Sequence, residues 1–250
     1  MATIRELLAR RTDLSTFVVH LTREVAGQQP SANLGAILRS QKIEARSAFG
    51  SAVGAITESG DIASQKCVCF TETPLEHLHL FFNRITDLER NCDFAPYGVA
   101  ITKRVAREAA VNPVWYTDIS PTGHVWLMNS VNALVREALA QVATERLTNA
   151  GASFAQKSIA KLTPFIEQMG HRDGFYRKEF WWEREWRHVG NFDLPTRYIV
   201  IAPEGEHPAM LAIANSGGIA RASAIDANWG LEEIIGRLAG FSDDQVGVPV

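Results

Sequence analysis

Phe180-Trp181-Trp182-Glu183-Arg184-Glu185-Trp186-Arg187-His188-Val189 sets three tryptophans among four charged residues. Taken at the period of two expected for a β-strand, it places Glu183, Glu185 and Arg187 on one face and Trp182, Arg184 and Trp186 on the other. Two carboxylates on one face are costly to bury unless a cation such as Arg187 compensates them. The row therefore suits the floor of a polar cleft or, alternatively, an exposed edge strand whose charges are solvated.

A second late strand is expected over Arg197–Ala202, separated from the first by a turn at Asn191–Pro195. At the other end of the chain, Thr16–Leu21 is β-branched and apolar and reads as a buried first strand. Further strands are expected over Lys66–Thr71 and Tyr97–Thr102, with short extended pieces at Ile43–Arg46 and Asn112–Thr117. Helices are expected from an N-cap at Ser31 through Ser40, from Pro74 to about Arg84, over Lys103–Ala109, over Trp126–Ala150 and over Gln156–Met169. Helical pieces from Pro208 and Leu231 finish the chain. Strands at both ends with a helical block between them indicate an α+β sheet assembly rather than a strictly alternating parallel sheet. No repeat and no long linker divides the 250 residues, so a single domain over 1–250 is expected.

Composition narrows the class without naming a partner. A chain that is 46% hydrophobic can bury a large core, and its 25 basic and 28 acidic residues, net charge −3, are mixed without long single-sign blocks. A nucleic-acid partner is neither implied nor excluded. Three cysteines, Cys67, Cys69 and Cys92, form an odd set that fits a reducing compartment. The short amphipathic segment Ile4–Arg11 lacks the apolar run of a secretory signal, and no stretch is long enough to span a membrane. A cytoplasmic location is the expectation.

Several residue groups could carry chemistry. On the face bearing Glu183 and Glu185, one carboxylate would stabilise an oxocarbenium-like centre while a glycosidic bond breaks, and the other would orient the attacking group. His20 and Thr22, two apart at the end of the first strand, present an imidazole and a hydroxyl to the same space, a spacing that could grip a ribose diol; a partly buried histidine bonded to a backbone carbonyl is the plainer reading. Arg46, beside the glycine-containing segment Ser47–Ser64, could reach a pyrophosphate, and that segment could cover a ligand. Trp115, Tyr116 and Trp126 could stack on a base or a nicotinamide ring, or pack in the core.

Cys67, Cys69, His77 and His79 invite a zinc reading, but two histidines two apart on a helix face different ways, and no metal is expected. A cysteine nucleophile has no local signature. Glycine-rich turns of the Rossmann or phosphate-loop type are missing from the sequence.

The run Val18-Val19-His20-Leu21-Thr22, followed by Asn33-Leu34-Gly35-Ala36-Ile37-Leu38, resembles the opening of DarT-like ADP-ribosyltransferases, and Cys69-Phe70-Thr71-Glu72-Thr73-Pro74-Leu75 resembles their next strand and helix start. Phe180–Val189, with its Glu-x-Glu-aromatic-Arg core, also looks like bacterial families linked to abortive infection, including AbiGi-like proteins. The resemblance to the transferases implies an ADP-ribosyltransferase-like split sheet that binds NAD as co-substrate, cleaves the bond to nicotinamide and transfers ADP-ribose to a DNA, RNA or protein acceptor, as a toxin or phage-defence effector.

On that resemblance His20 and Thr22 hold NAD and Phe70 and Thr71 line the nicotinamide pocket. Glu185 would contact the nicotinamide ribose and stabilise the cationic transition state, and Glu183 would help position the acceptor or take the place of Glu185. Where DarT-like sequences carry an arginine ahead of the second strand, this chain has Gln65 and Lys66, so either Lys66 or Arg46 replaces it or NAD turnover is lost. The alternative on the same fold is a non-catalytic binding or antitoxin component, with an antitoxin or immunity chain as a possible partner of the active form.

Overall fold

A computed structural model describes residues 13–83, 94–120, 125–170, 181–218 and 221–240. The expected helix Ile4–Arg11, Cys92, the turn at Pro121–Gly123 and the first residue of the expected strand, Phe180, lie outside the described residues.

In chain order the strands are β1 (Phe17–Leu21), β2 (Lys42–Ile43), β3 (Ser47–Ala48), β4 (Lys66–Thr71), β5 (Gly98–Thr102), β6 (Asn112–Pro113), β7 (Trp115–Asp118), β8 (Ile166–Met169), β9 (Glu185–Val189), β10 (Phe192–Asp193), β11 (Arg197–Ile201) and β12 (Arg221–Ile225). The α-helices are α1 (Pro30–Ser40), α2 (Ser59–Ala63), α3 (Leu80–Asn83), α4 (Lys103–Glu108), α5 (Trp126–Glu145), α6 (Ser158–Leu162), α7 (His207–Asn215) and α8 (Leu231–Ala239). The α+β class is as expected, with a mixed sheet. The chain divides into two compact units, one formed by residues 1–43, 70–108 and 193–250 and the other by 44–69 and 109–192.

The first unit is built on the strand order β12-β11-β5-β1, with Val19 of β1 also paired to Thr71 at the end of β4. β1 lies antiparallel to β5, Phe17 opposite Thr102 and Leu21 opposite Gly98, and β11 lies antiparallel to β5 with Ile199 opposite Ala100. β11 and β12 run parallel, joined by α7 as parallel neighbours require. Val18, Val99, Ala100 and Val200 are fully buried, the near-continuous apolar runs of strands covered on both faces. α1 buries Leu34 and Leu38 at helical spacing. Its N-cap is Gln29 with Pro30 in the first turn, not Ser31, because proline's fixed φ and missing N–H suit that position.

In the second unit β3 pairs antiparallel with the first half of β4, Ser47 opposite Cys67, and β9 lies between β4 and β6, with Arg187 opposite Asn112. A separate parallel pair joins β7 to β8. α5 buries Met128, Val131, Val135, Ala138 and Val142, alternating steps of three and four that form one apolar stripe. Beneath it Ala52, Ile56, Phe154 and Ala160 make a core cluster with Val135 and Ala138.

Four expected elements change. Ser47–Ser64 is not an irregular loop: it holds β3, a 3₁₀ turn at Val53–Ala55 and α2, and its apolar residues Ala52 and Ile56 pack into that cluster. The helix expected over Gln156–Met169 stops at Leu162. Pro164 sits in a 3₁₀ turn at Thr163–Phe165, after which Ile166–Met169 pairs with β7 as a strand. The helix from Pro74 is a 3₁₀ turn, Leu75–His77, followed by α3. The strand expected from Phe180 starts only at Glu185, since Trp181–Glu183 is a 3₁₀ turn.

Candidate functional site

The turn at Trp181–Glu183 and Arg184 decide what faces what. Arg184 has φ +45°, a left-handed conformation uncommon outside glycine, and it separates the turn from β9. Glu183 therefore does not share a strand face with Glu185, which corrects the three-charge row. Within β9 the period of two holds, and Glu185 and Arg187 meet.

Arg187 Nε donates to Glu185 Oε1 and Nη2 donates to Oε2, both at 2.8 Å, so the carboxylate is gripped by two parallel hydrogen bonds. Nη1 donates to the Pro164 carbonyl at 2.7 Å and Nη2 also donates to Glu167 Oε2 at 2.8 Å. The guanidinium carbon stands 4.9 Å from the centre of the Phe49 ring, a cation–π contact. Arg187 is only 2% exposed, and Glu185 and Glu167 are 11% and 13% exposed. This is a buried cluster of one cation and two carboxylates, not a row of solvated charges.

Burial alone would press the Arg187 pKa down, but Glu185, through charge and hydrogen bonds, outweighs it and holds the guanidinium above its ordinary value. The Tyr116 hydroxyl accepts the Glu185 backbone N–H at 3.3 Å, and its own pKa is raised, first by burial and then by the Glu185 charge. Burial pushes the Cys67 thiol up to about 12, and burial followed by the neighbouring Glu185 charge pushes Cys69 up as well. Neutral thiols of this kind are poor nucleophiles, which counts against Cys67 or Cys69 as a cysteine nucleophile.

The other expected site residues are distributed between the two units. His20, Thr22, Phe70 and Thr71 belong to the first, and Arg46, Glu183 and Glu185 to the second. The His20 ring meets Phe70 edge-on, 5.9 Å between centres. The Thr22 hydroxyl lies 3.0 Å from the Pro30 carbonyl and 3.2 Å from that of Tyr97, and its side chain is buried, so it ties β1 to the start of α1. Thr71 Oγ1 accepts the Thr73 N–H at 3.2 Å and lies 2.9 Å from the Thr73 hydroxyl. Arg46 is exposed and pairs with Glu44 at 3.3 Å.

Of the aromatic group, Trp115 and Trp126 are 68% and 67% exposed, while the Tyr116 hydroxyl is engaged at Glu185. Among the described residues no group of three or more His, Cys, Asp or Glu side chains could hold a metal ion, and no helix is long and apolar enough to cross a membrane. Sequence reasoning missed Glu167, Pro164 and Phe49 as partners of Arg187, because the first two sat in a stretch read as one helix. Pro164 inside that stretch was the available signal.

Residues 36–207, more than half of the chain, match the family model described as "Putative abortive phage resistance protein AbiGi, antitoxin". No curated protein and no solved structure matches the chain. The family's antitoxin description overturns the expectation of a mono-ADP-ribosyltransferase and agrees with the alternative antitoxin reading. Of the two resemblances read from the sequence, that to abortive-infection proteins is the one the match supports, and the chain belongs to the AbiGi family.

Proposed function

We propose that this chain is the non-catalytic antitoxin of an abortive-infection pair and acts by binding a toxin protein. The observation that carries the reading is the closed Arg187–Glu185 pair. The carboxylate expected to face a developing cation has both oxygens held by one buried guanidinium. Catalysis by electrostatic stabilisation needs a charge aimed at the reacting centre, and a bidentate ion pair spends that charge inside the protein. The two neighbouring thiols, kept protonated, offer no alternative nucleophile. The family description supplies the partner class, a toxin.

The test is expression of the chain alone in a bacterial host, with growth and total NAD followed over time. Normal growth and unchanged NAD are expected. Growth arrest with NAD loss, relieved by Glu185→Gln, would overturn the proposal.

A further inference from the structure

We infer that the end of the first unit's sheet where β11 and β12 begin is a docking surface for a carboxylate-rich segment of a partner protein; the partner's identity as a toxin rests on the antitoxin reading above.

In the parallel pair β11–β12, Arg197 stands directly opposite Arg221, and both are exposed. Neighbouring strands lie about 4.8 Å apart, and like charges placed opposite each other at that spacing destabilise a sheet. An acidic side chain nearby would remove the cost, yet among the described residues neither arginine makes an ion pair. Two adjacent planar guanidiniums with free donors are instead suited to sharing an oxyanion.

The surroundings extend the positive charge. Ile199 is opposite Ala100 on the antiparallel neighbour β5, which places Thr102, the last residue of β5, level with Arg197. From Thr102 the chain enters α4, Lys103-Arg104-Val105-Ala106-Arg107-Glu108. Lys103 is taken up by Glu72 at 2.6 Å and Arg104 by Glu108 at 3.9 Å. Arg107 is exposed and, among the described residues, makes no ion pair. Arg197 and Arg221 thus stand side by side at one end of the sheet, with Arg107 on the helix that follows β5, and among the described residues none of the three makes an ion pair, in a chain whose net charge is −3.

Charge complementarity selects a ligand rich in carboxylate or phosphate. Nucleic acid is the weaker fit, because phosphate-driven affinity grows with the number of phosphates neutralised and these arginines neutralise few, and aromatic side chains interleaved with basic ones are missing from β11, β12 and α4 apart from the buried Tyr198. A short acidic stretch on a partner protein needs only a few cations, and complementary rims of this kind act chiefly on association rate and specificity.

The experiment titrates the full chain against a fluorescein-labelled poly-glutamate peptide, and separately against single-stranded DNA of equal charge, by fluorescence anisotropy at low salt. The comparison set is Arg197→Glu/Arg221→Glu, the milder Arg197→Gln/Arg221→Gln, and Arg46→Glu as a surface charge elsewhere. Peptide binding that weakens about tenfold in both double variants and is kept by Arg46→Glu supports the site. The Gln pair covers the case in which charge reversal impairs folding, and its melting temperature should equal or exceed that of the unmodified chain because the repulsion is gone. No peptide binding, equal loss in Arg46→Glu, or tighter binding of DNA than of peptide would overturn it. Failure of the antitoxin reading shows separately, as toxicity of the chain expressed alone, and peptide binding that survives such toxicity leaves the surface in place.

Discussion

Arg187 closes on Glu185 through two hydrogen bonds of 2.8 Å while a third and fourth reach the Pro164 carbonyl and Glu167, so one side chain ties β9 to the turn before β8 and to β8 itself. Because the guanidinium is almost wholly buried, removing it strands two carboxylates in a poorly solvated place. Arg187→Leu is expected to cost about 3–5 kcal/mol of stability, and adding Glu185→Leu to it to recover part of that loss, since an uncompensated buried charge is worse than none. Urea unfolding of the single and double variants measures both. An Arg187→Leu protein as stable as the parent would mean the pair is not buried in solution.

The buried thiols set an alkaline limit. The Cys67 pKa is about 12 in the folded chain against an ordinary 9.0, and Cys69 is shifted in the same direction. Below the ordinary thiol pKa both states keep the protons and stability is untouched. Above it the unfolded chain releases protons that the folded chain retains, so stability falls as pH rises from the ordinary value toward the folded one. The slope approaches about 1.4 kcal/mol per pH unit for each such thiol. In a Cys92→Ser background, urea midpoints at pH 8, 9 and 10 should decline, and Cys67→Ala should flatten the decline after correction for its own loss of packing.

Gly50 has φ +97°, and a Cβ placed there would run into the Thr163 carbonyl and the Pro164 backbone. Neither obstacle is a flexible side chain. Gly50→Ala is therefore expected to destabilise by at least about 2 kcal/mol, from left-handed strain plus displacement of the turn that supplies the Pro164 carbonyl to Arg187. Thermal unfolding checks this, with Gly54→Ala as the control, because its added Cβ meets nothing within 4 Å.

A ligand present at about 100 times its dissociation constant stabilises a fold by roughly 2.7 kcal/mol. Millimolar NAD is expected to leave the melting temperature of this chain unchanged. A rise that disappears in Glu185→Gln would restore the enzyme reading.

Local pattern was enough to determine much of this protein. The β-branched run at Val18-Val19, the alternation at Lys66–Thr71 and the apolar segment at Arg197–Ile201 read as strands because burial of a pleated segment needs those side chains. The stripe from Met128 to Val142 read as a helix because steps of three and four put one face inward. The pairing of Glu185 with Arg187 also followed from a period of two. What the pattern could not contain were facts set by distant neighbours. β12 is a strand although Arg-Ala-Ser-Ala-Ile has weak strand preference, because β11 offers it a parallel ladder. Ile166–Met169 becomes a strand for the same reason, with β7 as its partner. Only that placement brings Glu167 and the Pro164 carbonyl to Arg187, turning a carboxylate that looked available for chemistry into one held inside the second unit. Spacing along the chain says which side chains share a face, whereas what occupies a carboxylate depends on groups far away in sequence, and that is decided when the elements pack.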